Sequence, residues 1–240
     1  MSVSAILGDA FAVYRLLFRR SVATAAIVYA VIGLVELGAR RAQDDTVNFV
    51  LEVSAFVLGF AAPVLVQGAL VQIVRNVHKG ERPEPIGALL RSAGSRGLSL
   101  VWASIVYGLG VGIGLLLLVA PGLFLAARWC LMAPLIMLED ADAREARNAS
   151  SVMVRGKTWT VLGAILVAFL LTTVIPATLA LQYAYGSYGI EQALFDLLWL
   201  SLTAPFYAHV LTVIYYKLAD PERPIIHPDV AGWSSVWRGA

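Results

Sequence analysis

Residues 98–120 read LSLVWASIVYGLGVGIGLLLLVA, an apolar run without one charged side chain. A helix rises about 1.5 Å per residue, so a run of this length crosses a hydrocarbon core of about 30 Å. Five further apolar segments lie around it: Ser21 to Ala39, Val47 to Val74, Leu123 to Leu138, Trp159 to Gln182 and Ala193 to Tyr216. Leu123 to Leu138 is short for a span; it either extends through Pro121 or sits where the bilayer is thin. Inside lipid every backbone N–H and C=O must find its partner within the protein, and a helix achieves this within one segment. The expected fold class is an all-α, polytopic membrane protein with six transmembrane helices.

Composition agrees. Of 240 residues, 59% are hydrophobic and only 14% charged, with a mean hydropathy of +0.77, whereas soluble domains carry roughly 25% charged residues. A net charge of +2 leaves no nucleic-acid footprint. The single cysteine, Cys130, rules out an intrachain disulfide and a thiolate metal cluster, and reads as a small buried hydrophobe. Arg19 and Arg20 before an apolar stretch resemble the start of a signal peptide, but the residues ahead of them are amphipathic and the flank at Glu36 to Arg40 is a poor cleavage site. That stretch is expected to remain as a span.

The basic residues are distributed unevenly. Fifteen Lys and Arg fall on one side of the expected spans, from Arg15 through Arg75, Lys79 and Arg82 to Arg144, Arg147, Arg155, Lys157 and the tail; the other side holds only Arg40 and Arg41. By the positive-inside rule both termini are expected in the cytoplasm. The Ala120-Pro121-Gly122 turn and the loop Tyr183 to Ile190 then face outward. Tyr183, Tyr185 and Tyr188 would mark the outer interface, Trp159, Tyr215 and Tyr216 the inner one, and Trp233 and Trp237 would return the tail to the membrane surface.

Val3, Ile6, Leu7, Ala10, Phe11, Tyr14, Leu17 and Phe18 recur at helical spacing opposite Ser4, Asp9, Arg15 and Arg19. The pattern predicts an amphipathic helix on the membrane surface, or one docked on another protein face. Two similar helices are expected over Pro85 to Arg96 and Asp142 to Arg155. Ala-Pro recurs inside each even-numbered span, at Pro63, Pro134 and Pro205, 71 residues apart both times. Ala26-Ile27-Val28-Tyr29 is echoed by Ser104-Ile105-Val106-Tyr107, and Glu81-Arg82-Pro83 by Glu222-Arg223-Pro224. These matches predict three repeats of surface helix plus helical hairpin, about 2–80, 81–140 and 141–218, within one membrane domain 1–218, followed by a cytoplasmic tail 219–240. Each proline removes a donor and frees a carbonyl one turn earlier, so Pro63, Pro134 and Pro205 are expected to kink their helices or to recruit a neighbouring side chain.

Catalytic motifs are absent from this sequence. Gly108, Gly110, Gly112 and Gly114 lack the strand-to-helix context of a dinucleotide loop and read as small residues at a helix contact. Gly156-Lys157-Thr158 ends like a phosphate loop, but Ser151 stands where its first glycine is required. Asn148-Ala149-Ser150 is a chance sequon on the cytoplasmic side. His78 and His227 fall in polar flanks, and His209, within the last span, is expected to be a hydrogen-bonded packing residue. No enzyme activity, metal or cofactor is expected.

Ala120-Pro121-Gly122-Leu123-Phe124-Leu125-Ala126-Ala127-Arg128-Trp129, Ala133 to Glu139, Glu145-Ala146, Ser151 and Val154 to Trp159 resemble the membrane domain associated with bacterial glycerophosphoryl diester phosphodiesterases, which also occurs as a free-standing six-span protein. The resemblance covers roughly residues 119–163. It implies a module of the bacterial cytoplasmic membrane connected with lipid metabolism, and it transfers no catalytic residue, because the catalytic barrel of the fused members has no counterpart here.

Two functions follow as expectations. One is a non-enzymatic module that organises membrane lipids or a partner protein; the other is a small-solute or lipid permease or channel. The candidate ligand-binding residues are Glu52, Arg128 and Asp196, each within about two turns of the outer end of an even-numbered span. Charges at that depth should face the bundle interior or water and pair where geometry allows, and one guanidinium can engage two carboxylates. A Glu52-Arg128-Asp196 cluster is the expected arrangement.

Overall fold

The structure is a computed structural model; it describes residues 1–174 and 190–228, apart from the side chains of Arg40 and of residues 190–193. The described chain is all-helical and multi-pass. α1 runs over Val3–Arg41, α2 over Asp45–Lys79, α3 over Ile86–Ser95, α4 over Gly97–Leu117, α5 over Val119–Trp129, α6 over Met132–Glu139, α7 over Ala143–Met153, α8 over Thr158–Phe169 with a π-helical extension Leu170–Val174, and α9 over Ile190–Ala219. Five helical segments are long and apolar enough to cross a membrane, and a sixth is reached if α7 and α8, which meet at 113°, count as one bent span. Tyr183, Tyr185, Tyr188, Trp233 and Trp237, and the end of the fifth expected span, lie outside the described residues.

The short helices form where expected, for local reasons. Asp142 caps α7 through the N–H groups of Arg144 and Glu145, and Glu145 accepts from the Asp142 N–H in return. Gly156, at φ +82°, lets the chain turn from α7 into α8. Pro85 precedes α3 and fixes its entry.

α1 departs from the sequence reading. The amphipathic segment and the first span are one continuous helix of 39 residues. Ile6, Ala10, Val13 and Leu17 are fully buried, while Phe11 and Phe18 remain exposed. The stripe thus divides between a protein contact, mainly α9 with α8 near the N-terminus, and an outward apolar edge. Asp9 and Lys217 form an ion pair, and the Tyr14 hydroxyl donates to the Leu202 carbonyl at 2.9 Å.

The ends of the bundle differ. We call the end that carries α3, α7 and the C-terminus of α9 the basic end, and the other the distal end. Near the basic end, the second half of α2, all of α6 and the second half of α9 make a dense core with Leu70, Ile73, Leu135, Ile136 and Ile214 fully buried. Gly68 permits the convergence: a Cβ there would meet Leu100, Ala93 and Met137 at 3.0–3.2 Å. Gln72 donates to the Met137 carbonyl at 2.9 Å, and the Tyr215 hydroxyl to Glu139 at 2.7 Å. Tyr215 and Tyr216, expected in an interfacial belt, are buried, with Tyr216 stacked on His78 at 3.9 Å; Trp159 is 81% exposed.

Toward the distal end the helices present apolar surface outward. No described residue of α2 before Ala62 is buried, and none of α9 before Ser201, whereas Phe56, Leu116 and Leu198 are among the most exposed apolar side chains. Such surface belongs against acyl chains. In both helices the buried half begins close to the Ala-Pro pair.

Candidate functional site

The three prolines behave in two ways. α2 runs through Pro63 and α9 through Pro205 without losing helical assignment. The fourth span instead breaks at Cys130–Leu131, placing Pro134 third in α6, where no intrahelical donor is needed. Ser150, buried on α7, bridges this break: its hydroxyl donates to the Arg128 carbonyl at 2.7 Å and accepts from the Leu131 N–H at 3.2 Å. The sequon reading of Asn148-Ala149-Ser150 gave no hint of this role.

The expected Ala120-Pro121-Gly122 turn lies inside α5, and the chain reverses at Leu118, which is extended at φ −159°, ψ 137°. Gly114 then meets Gly122, where a Cβ would approach the Gly122 Cα to 2.8 Å, and Gly110 receives the Trp129 indole, which a Cβ would meet at 2.0 Å. Gly108 and Gly112 face open space, so the glycine stripe serves helix contact on one side only. Gly110 thereby admits the indole of Trp129 beside a cavity.

That cavity, about 120 Å³, lies where α2, α4, α6 and α9 meet. Its polar lining is Gln67, Ser104, Tyr107, Cys130 and Tyr207, with Trp129 at its side, and none of its lining residues is charged. Ser104 donates to the Leu100 carbonyl at 2.9 Å and keeps its lone pairs for an acceptor role. Cys130 is buried and its thiol points to the Ala127 carbonyl at 3.2 Å. Ala133 lies next to Pro134 and Tyr207 two residues after Pro205, so two of the Ala-Pro pairs sit at the cavity's level.

The expected charge cluster does not assemble. Arg128 belongs to α5, the helix that packs on α4, α7 and α8; its side chain is partly exposed and lies 5.2 Å from the Phe124 ring centroid. It makes an ion pair with neither Glu52 nor Asp196. The physical reason is the order of packing: α5 forms a hairpin with α4, while α2 and α9 both pack on α1. What gathers instead is acidic. Glu36 of α1 lines a crevice with Glu52 and, one step further along the same groove, a second hollow with Asp196, Tyr29 and Pro63.

His209 is a packing residue in this structure, fully buried with Nε2 3.0 Å from the Ser21 Oγ and its ring against Tyr14. Among the described residues no group of three or more His, Cys, Asp or Glu is placed to hold a metal. Fold and site define a helical, multi-pass membrane protein with a half-open cavity lined by uncharged residues. Comparison with protein-family models, curated proteins and solved structures finds no match.

Proposed function

We propose that the chain is a non-enzymatic module of the bacterial cytoplasmic membrane that retains a membrane lipid, with both termini cytoplasmic. The observation that carries this reading is the cavity: Gln67, Ser104, Tyr107 and Tyr207 bring polar groups into its mostly apolar lining, and the helices that line it continue distally as exposed apolar surface, Phe56 and Phe60 on α2, Leu109 and Ile113 on α4, Leu198 and Leu202 on α9. A largely apolar pocket with a few polar groups, set among helices with apolar outer faces, fits a molecule that is itself polar at one end. The charge asymmetry supports the orientation. The resemblance to the phosphodiesterase-associated membrane domain agrees with a lipid role. A threefold repeat is part of the proposal, supported by α3–α4 and α7–α8, each a short helix followed by a more apolar one. The test is extraction of lipid from protein purified through repeated exchange into lipid-free detergent. Retention of a lipid at about one per chain is the expected result; protein that emerges lipid-free sinks the proposal.

The acidic crevice favours a second reading, a permease for a cationic solute, because Glu36, Glu52 and Asp196 converge from three helices. Proteoliposomes should then take up an organic cation in a manner lost on Glu36→Gln substitution. Flux equal to that of empty vesicles removes this reading.

A further inference from the structure

The lining of the cavity selects among lipids, an inference that rests on the lipid reading above. We infer that the cavity receives an uncharged, hydroxyl-bearing headgroup rather than a phosphate. Gln67 offers an amide with two donors and an acceptor, and Tyr107 and Tyr207 add hydroxyls that can each donate or accept. Ser104 adds lone pairs. A neutral polyol satisfies such a mixture because each of its hydroxyls is both donor and acceptor. A phosphate is acceptor-rich and charged, and the cavity lining holds no cation to neutralise it. The volume, about 120 Å³, has room for several waters or for one small headgroup, while acyl chains would extend along the apolar distal halves of α2, α4 and α9.

The chain supplies its own reporter, since Cys130 is the only cysteine and lines the cavity. The full-length protein in detergent is treated with methyl methanethiosulfonate, a small uncharged thiol reagent, with and without monoolein as the neutral probe or dioleoyl phosphatidylglycerol as the charged one. Monoolein at about ten times its half-saturating concentration should slow Cys130 modification about tenfold, and the charged lipid should leave the rate unchanged. Gln67→Leu and Tyr107→Phe should each raise the half-saturating concentration about fivefold, the loss expected of one hydrogen bond. Native mass spectrometry of the same samples reads binding directly if the thiol proves unreactive, with a monoolein adduct expected in the unaltered protein and weakened in both variants. Equal protection by both lipids, or monoolein binding indifferent to both substitutions, overturns the headgroup assignment while leaving lipid retention standing. Protein that binds neither lipid in either measurement overturns both.

Discussion

Replacing Ser150 with alanine removes a donor and an acceptor at one point. The Arg128 carbonyl and Leu131 N–H at the break of the fourth span would lose their partner in a buried place. Leaving such groups unsatisfied costs about 1–3 kcal/mol. Thermal unfolding in detergent should show Ser150→Ala destabilised and Asn148→Ala, an exposed neighbour, unchanged; equal stability of the two would show that the break needs no bridge. Glycines make a matched pair of the same kind. Gly110→Ala places a methyl against the Trp129 indole, whereas Gly108→Ala meets nothing within 4 Å. The first should lose stability, with partial recovery on Trp129→Leu, and the second should gain slightly from helix propensity. Indifference to Gly110→Ala would mean that α4 and Trp129 separate at little cost.

At the scale of elements, α7 depends on its cap. Asp142 holds the Arg144 and Glu145 N–H groups, and Glu145 returns the bond. Asp142→Ala should cost about 1 kcal/mol and raise hydrogen exchange first at those two amides. Unchanged exchange there would show that the packing of Ala146, Ser150 and Val154 orders the helix without the cap. The Ala-Pro pairs illustrate what spacing reveals and what it does not. Identical dipeptides at one interval were expected to act alike, yet two lie within continuous helices and one follows a break. The difference comes from neighbours: Ser150 is available beside Pro134 to satisfy backbone groups, and it belongs to a different helix.

For the whole molecule, the proposed orientation rests on the charge asymmetry and is testable on described residues. In a Cys130→Ser background, a cysteine at Asp45 should react with an impermeant reagent added outside cells, and one at Glu81 only after the membrane is opened; both positions are exposed, at opposite ends of α2. The reverse pattern would invert the topology. The two-ended packing, dense near α3 and α7 and open distally, also predicts that proteolysis and exchange in detergent concentrate in the first half of α2 before the second.

The sequence by itself determined that this chain is helical and crosses a membrane, because long runs without charge, such as residues 98–120, admit no other solvent. It also located α3, through its apolar spacing, and α7, whose cap at Asp142 likewise acts within one segment. Tertiary structure alone decided which side chains meet. Periodicity reports a face, not its neighbour, so α1 divided its stripe between protein and outward surface. Arg128 was read as a partner for Glu52 and Asp196 from depth alone, but helix order sent its helix, α5, to α4, α7 and α8 and brought Glu36 to the acids instead. Gln67, Tyr107, Cys130 and Tyr207 come from four separate helical segments, and no local signal links them. Their convergence depends on Gly68 and Gly110, where the lack of a side chain lets α3, α4, α6 and the Trp129 indole approach closely, a property that exists only once the helices are packed.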